Sequence, residues 1–109
     1  MKLLSSLNIL IFSDPYPMVR ERRSKLQIFY DVLSAIKEES QNNEKISYTR
    51  IQFKCNTSYD KLLRYFDEMK AKQLLKSGSE IEITEKGEKF YQDYSRINEL
   101  IKETVQRLN

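Results

Sequence analysis

The 109-residue chain carries 19 lysine and arginine and 16 aspartate and glutamate side chains, with no histidine and a single cysteine, Cys55. Its length fits one domain with a modest core, and two glycines and two prolines supply too few turns for a many-stranded sandwich, so helix is expected to dominate. Without histidine and with one thiol, a single chain builds neither a common zinc site, nor a histidine-based triad, nor a disulfide framework, and the lone cysteine fits a reducing compartment.

The net charge is +3. Residues 84 to 109 hold five basic and five acidic side chains, so the whole excess lies in residues 1 to 83, where a partner can read it. Residues 1–17, MKLLSSLNILIFSDPYP, stand apart. Lys2 followed by the apolar run Leu3 to Phe12 imitates a secretory leader, but Ser5, Ser6 and Asn8 interrupt it and no small-residue cleavage site follows. The run is also far shorter than the roughly 20 residues that span a bilayer. Residues 1–17 are therefore read as a hydrophobic extension at the periphery, either an extra element packed on the domain or a stretch ahead of a later start at Met18.

A domain is expected over residues 18–84. Leu26, Ile28, Phe29, Val32, Leu33 and Ile36 recur at helical spacing, which predicts a helix of about four turns from Ser24 that ends in the polar run 40–43. Ser47 is placed to cap a short second helix carrying Ile51 and Phe53 and stopping near Asn56. A third helix is expected from about Ser58 to about Lys72, with Thr57 and Asp60 in capping-box spacing and Tyr59, Leu62, Leu63, Phe66 and Met69 as its inward stripe. Two helices joined by so short a turn form a helix-turn-helix, whose second helix is offered to the major groove. Residues 73–76 and 80–83 flank Ser77-Gly78-Ser79 and predict a small β-hairpin, the wing.

Thr84 is placed to cap a last helix over residues 85–109. Phe90, Tyr94, Ile97, Ile101, Thr104 and Leu108 fall in a 4-3-4-3-4 pattern, a coiled-coil seam that Tyr91, Leu100 and Val105 broaden. Such a helix is longer than the compact domain, so its distal half calls for a partner, and a homodimer is expected through Phe90, Tyr94, Ile97, Ile101, Val105 and Leu108. The fold class expected is thus mainly α with a small β-hairpin: a winged helix-turn-helix followed by a long C-terminal coiled-coil helix.

The ordered set Arg23-Ser24, Thr49-Arg50-Ile51, Asn56-Thr57-Ser58-Tyr59, Leu62 and Phe66, Lys72-Gln73-Leu74-Leu75 and Thr84-Glu85-Lys86-Gly87 resembles the archaeal winged-helix proteins of the 10a type over about residues 20 to 105. The resemblance implies a small dimeric DNA-binding protein joined by an antiparallel coiled coil, cytoplasmic and nucleoid-associated or regulatory, with no catalytic activity. The acidic wing, with Glu80 and Glu82, and the hydrophobic leader depart from that pattern.

For double-stranded DNA the candidate contacts are Ser58, Lys61, Arg64 and Tyr65 on the third helix, Arg50 and Lys54 on the second, and Arg20, Arg22 and Arg23 in a basic arm ahead of the first. Lys61 and Arg64 share a helical face, and an arginine fork suits guanine or phosphate. Arg50 and Lys54 suit the flanking backbone, and the start of the third helix adds N–H donors. Taken singly, each cation also fits a solubilising surface. Glu38-Glu39 and Asp67-Glu68 are adjacent and diverge on a helix, unlike facing catalytic carboxylates, and no glycine-rich phosphate loop exists. No cofactor, metal, membrane or small-molecule substrate is expected. The competing function is a winged-helix protein-interaction module that does not bind DNA.

Overall fold

A computed structural model describes residues 23–42 and 45–109. The leader expected at residues 1–17, Arg20 and Arg22 lie outside the described residues. Four helices follow in order: α1 (Lys25–Asn42), α2 (Tyr48–Cys55), α3 (Tyr59–Ala71) and α4 (Glu85–Leu108). α1 packs on both α2 and α4, and α2 packs on α3. Among the described residues no helix is long and apolar enough to cross a membrane.

Four hydroxyl residues set the helix starts. At α1, Ser24 accepts from the Gln27 amide at 3.1 Å. Ser47 accepts from the Arg50 amide, Ser58 from the Lys61 amide, and Thr84 from the Gly87 amide, each answering an N–H that a helix leaves without an internal partner. The capping pair expected from Thr57 and Asp60 is displaced by one residue. Ser58 is the cap, and the hydroxyl of Thr57 is buried without a hydrogen-bond partner among the described residues. At the other end of α2, Asn56 closes the helix in the left-handed region at φ 56°, a conformation asparagine tolerates.

The core is the inner face of α1 (Ile28, Phe29, Val32, Leu33, Ile36) against Ile51 and Cys55 of α2, Leu62, Tyr65, Phe66 and Met69 of α3, and Leu74 and Leu75 beyond it. Several side chains expected inside stand outside. Leu26 is exposed, Phe53 is 75% exposed, and Tyr59 and Leu63 are also exposed. The buried stripe of α3 is 62-65-66-69, a 3-1-3 pattern, and Tyr59 and Leu63 fall to one side of it. On α2 Ile51 and Cys55, four apart, are buried in the core and Tyr48 packs against it beside Phe66, while Phe53 points the opposite way.

The wing is slighter than a regular hairpin. Leu75 and Ile83 form one isolated antiparallel bridge, extended by hydrogen bonds from the Lys76 amide to the Glu82 carbonyl (2.9 Å) and from the Thr84 amide to the Leu74 carbonyl (3.2 Å), and no strand forms among the described residues. The turn passes through Gly78 at φ 131°. Gly87, in the first turn of α4, lies so close to the wing that a Cβ there would sit 2.2 Å from the Leu74 carbonyl oxygen. This contact sets α4 directly on the base of the wing.

Candidate nucleic-acid interface

α3 presents Tyr59, Asp60, Leu63, Arg64 and Asp67 outward, with Lys61 half-buried beside them. Neither Lys61 nor Arg64 makes a side-chain hydrogen bond or ion pair among the described residues, and the same holds for Asp60 and Asp67. Arg64 has Asp60, Lys61, Asp67 and Glu68 at helical-neighbour spacing. The outward face of α3 is therefore a mixed-charge surface whose charged groups are open to solvent, beside the exposed start of the helix at Ser58.

The other predicted contacts stand differently. Arg50 is held by the buried carboxylate of Glu39, with Nε donating to Oε1 at 2.5 Å and Nη2 to the Lys45 carbonyl at 3.0 Å. Lys54 pairs with Glu38 and lies 3.8 Å from Glu39, and its hydrogen bond to Glu38 raises its pKa above the usual lysine value. The two acids read as diverging are thus both anchored by α2, because α2 crosses the C-terminal part of α1 where 38 and 39 flank the contact. Buried Glu39 would not be tolerated without such partners.

Arg23 is not an extended arm. Its Nη1 donates to Asp31 Oδ2 at 2.9 Å and to the Cys55 carbonyl at 2.8 Å, and Nη2 donates to the Asn56 carbonyl at 3.4 Å. Tyr65 is a core residue, 8% exposed, with the Lys25 ammonium 5.8 Å above its ring, so it is not available to a duplex from the outward face. Lys25 is itself paired with Glu68 at 3.0 Å. Tyrosine at position 65 joins Leu62 and Met69 at spacings of three and four, and that spacing was the signal for its burial.

The acidic wing is partly neutralised, since Glu82 pairs with Lys76 at 3.0 Å. Glu80 lies on the rim of a groove of about 400 Å3 with Lys45, Ile46, Tyr48, Ser79 and Ile81. Residue 80 is outside any ladder, so Glu80 and Glu82 do not share the face of a regular strand as the alternation predicts.

On α4 the expected seam divides in two. Phe90 and Tyr94 are half-buried against α1, where Tyr30 stacks on Tyr91 at 5.0 Å and lies 5.2 Å from Tyr94, and Phe90 lies 5.7 Å from Tyr94. Lys37 reinforces the crossing through Glu88 at 2.7 Å and the Tyr91 ring. A hydrogen bond from the Ser95 hydroxyl lowers the pKa of Tyr30. Beyond this crossing Ile97, Leu100, Ile101, Val105 and Leu108 are all about half exposed or more, reaching 81% at Leu108.

Cys55 is buried and its thiol faces the Asp31 carbonyl at 3.6 Å. Burial, with the nearby Asp31 charge, pushes its pKa up to about 12, which keeps it protonated and unreactive. Among the described residues no group of three or more metal-ligating side chains comes together.

Residues 22–102 match a family model described as Winged helix-turn-helix. No curated protein matches the chain.

Proposed function

The chain belongs to the winged helix-turn-helix family, which points to a DNA-binding regulator in general terms, and we propose that it binds double-stranded DNA as an operator-specific homodimer, in the cytoplasm. The observation that carries this reading is the contrast in cation use. Arg23, Arg50 and Lys54 are engaged within the fold, whereas Lys61 and Arg64 on α3 have no side-chain partner among the described residues. Asp60 and Asp67 beside them favour a specific reader over a sequence-tolerant one. A free carboxylate repels phosphate on any duplex, but it accepts from a cytosine amino group where the sequence supplies one, and Leu63 suits a thymine methyl. Homodimerisation is supported by the exposed apolar run from Ile97 to Leu108. The likeness to the 10a type supports an antiparallel pairing that sets two reading heads apart.

A salt titration of binding to a random-sequence duplex tests the proposal. Affinity falls with salt according to the number of phosphates neutralised. An operator-specific reader binds such a duplex weakly, with a slope of about two contacts per head, or about four if Arg20 and Arg22 join. Tight binding with a much steeper slope would instead mark an architectural protein of the nucleoid. No binding at low salt would leave the protein-interaction module as the function.

A further inference from the structure

A chain of side-chain hydrogen bonds runs from α4 to the turn that aims α3. The Tyr94 hydroxyl donates to Gln27 Oε1 at 3.2 Å, and Gln27 Nε2 donates to Asp31 Oδ1 at 2.8 Å. The other oxygen of Asp31 accepts from Arg23 Nη1 at 2.9 Å. Arg23 in turn donates to the carbonyls of Cys55 and Asn56, at 2.8 and 3.4 Å. Those carbonyls lie at the C-terminal end of α2 and in the left-handed residue that follows it, three residues ahead of Tyr59, the first residue of α3. Every link joins part-buried or turn groups, and Asp31 is the hub because each of its oxygens takes a different neighbour.

We infer that Asp31 and Arg23 are positioning residues for DNA binding, which carry the placement of α4 on α1 to the turn between α2 and α3. Arg23 does this with a fork. One guanidinium spans a carboxylate and two carbonyls, a geometry that a lysine ammonium does not reproduce. The consequence is that a hydroxyl on α4, outside the reading helix, sets how firmly that helix is aimed. The inference rests on the DNA-binding reading for its effect on affinity, but its effect on the turn is independent of DNA.

The test uses the full chain with Tyr94→Phe, Arg23→Lys and the double variant. Tyr94→Phe keeps the ring and its tilted contact with Tyr30 and removes only the hydroxyl. Without DNA, amide hydrogen exchange is read at Asn56 and Thr57, whose N–H groups bond the carbonyls of Phe53 and Gln52. Loss of one hydrogen bond in the chain should speed that exchange by about three-fold or more in Tyr94→Phe, and no change there, with the perturbation ending in α1, overturns the inference. With a duplex, Arg23→Lys should lose about five-fold or more in affinity with an unchanged salt slope. A phosphate-contacting Arg23 would instead keep its affinity as lysine, and that result also overturns the inference. The double variant should match Arg23→Lys alone, since the chain is already cut, whereas additive losses would mean two independent structural roles. If the unmodified protein fails to bind any duplex, the proposed function falls while the exchange measurement still decides the chain.

Discussion

α2 and α3 look alike as sequences. Each is capped by a serine and each carries cations within its first two turns, Arg50 and Lys54 on one, Lys61 and Arg64 on the other. In the folded chain they differ completely. α2 lies across the end of α1 that holds Glu38 and Glu39, so its cations are drawn into ion pairs, while Lys61 and Arg64 of α3 have no side-chain partner among the described residues. A positive charge in a sequence is therefore available to a ligand only where the packing brings no acid to it.

The largest effect expected is on the assembly that carries α3. Replacing Ile97 and Ile101 by glutamate puts like charges on the exposed stripe of α4 and removes two isoleucines whose burial is worth about 1.5 to 3 kcal/mol each. Sedimentation should then give a monomer, and the loss of linked binding should weaken affinity for a two-site duplex by about 100-fold. If the unmodified protein is already monomeric at tens of micromolar, α4 has no self-association to lose.

The contrast between the helices is then tested directly. Lys61→Ala with Arg64→Ala should weaken duplex binding by about ten-fold or more without lowering the melting temperature. Arg50→Ala should do the reverse, leaving affinity of the folded protein within about two-fold but costing about 1 to 3 kcal/mol of stability, because Glu39 stays buried with its main partner gone. The half-exposed guanidinium keeps that figure at the lower end of what buried pairs cost. Equal effects of both variants on affinity would erase the distinction between α2 and α3.

The smallest effect concerns pH. The Cys55 thiol titrates near 9 in the unfolded chain and is held up to about 12 when folded. Between those values the folded state keeps a proton that the unfolded state has lost. Stability is therefore fully retained below about 9 and falls as pH rises, by up to about 1.4 kcal/mol per pH unit. Tyr30 acts in the opposite sense, since its pKa is lowered and its ionised form is favoured in the fold. Cys55→Ala should flatten the decline above pH 9 in chemical denaturation. An unchanged slope would assign the titration to another group.

The four helices were legible because their signals are local. Ser47, Ser58 and Thr84 mark starts through bonds reaching only three residues, and the apolar spacing of α1 and α4 needs no partner to be seen. The place of Lys61 and Arg64 on a common face follows from helical geometry alone. Local pattern alone sufficed for these elements, their order, and the excess of apolar residues on the distal part of α4. Which side of each helix is inside, and which charges meet a partner, depended on how the helices pack. Tyr65 went into the core and Tyr59 out of it, because the side of α3 turned to the core carries 62, 65, 66 and 69. Arg23, read as part of an arm for phosphate, became a clasp on the turn before α3, because the fold brings residue 55 beside residue 31. Phe90 and Tyr94 left the seam for α1 because Tyr30 lies where α4 crosses. Such partners are tens of residues apart in the chain, and helical periodicity, which repeats within seven residues, carries no information about them.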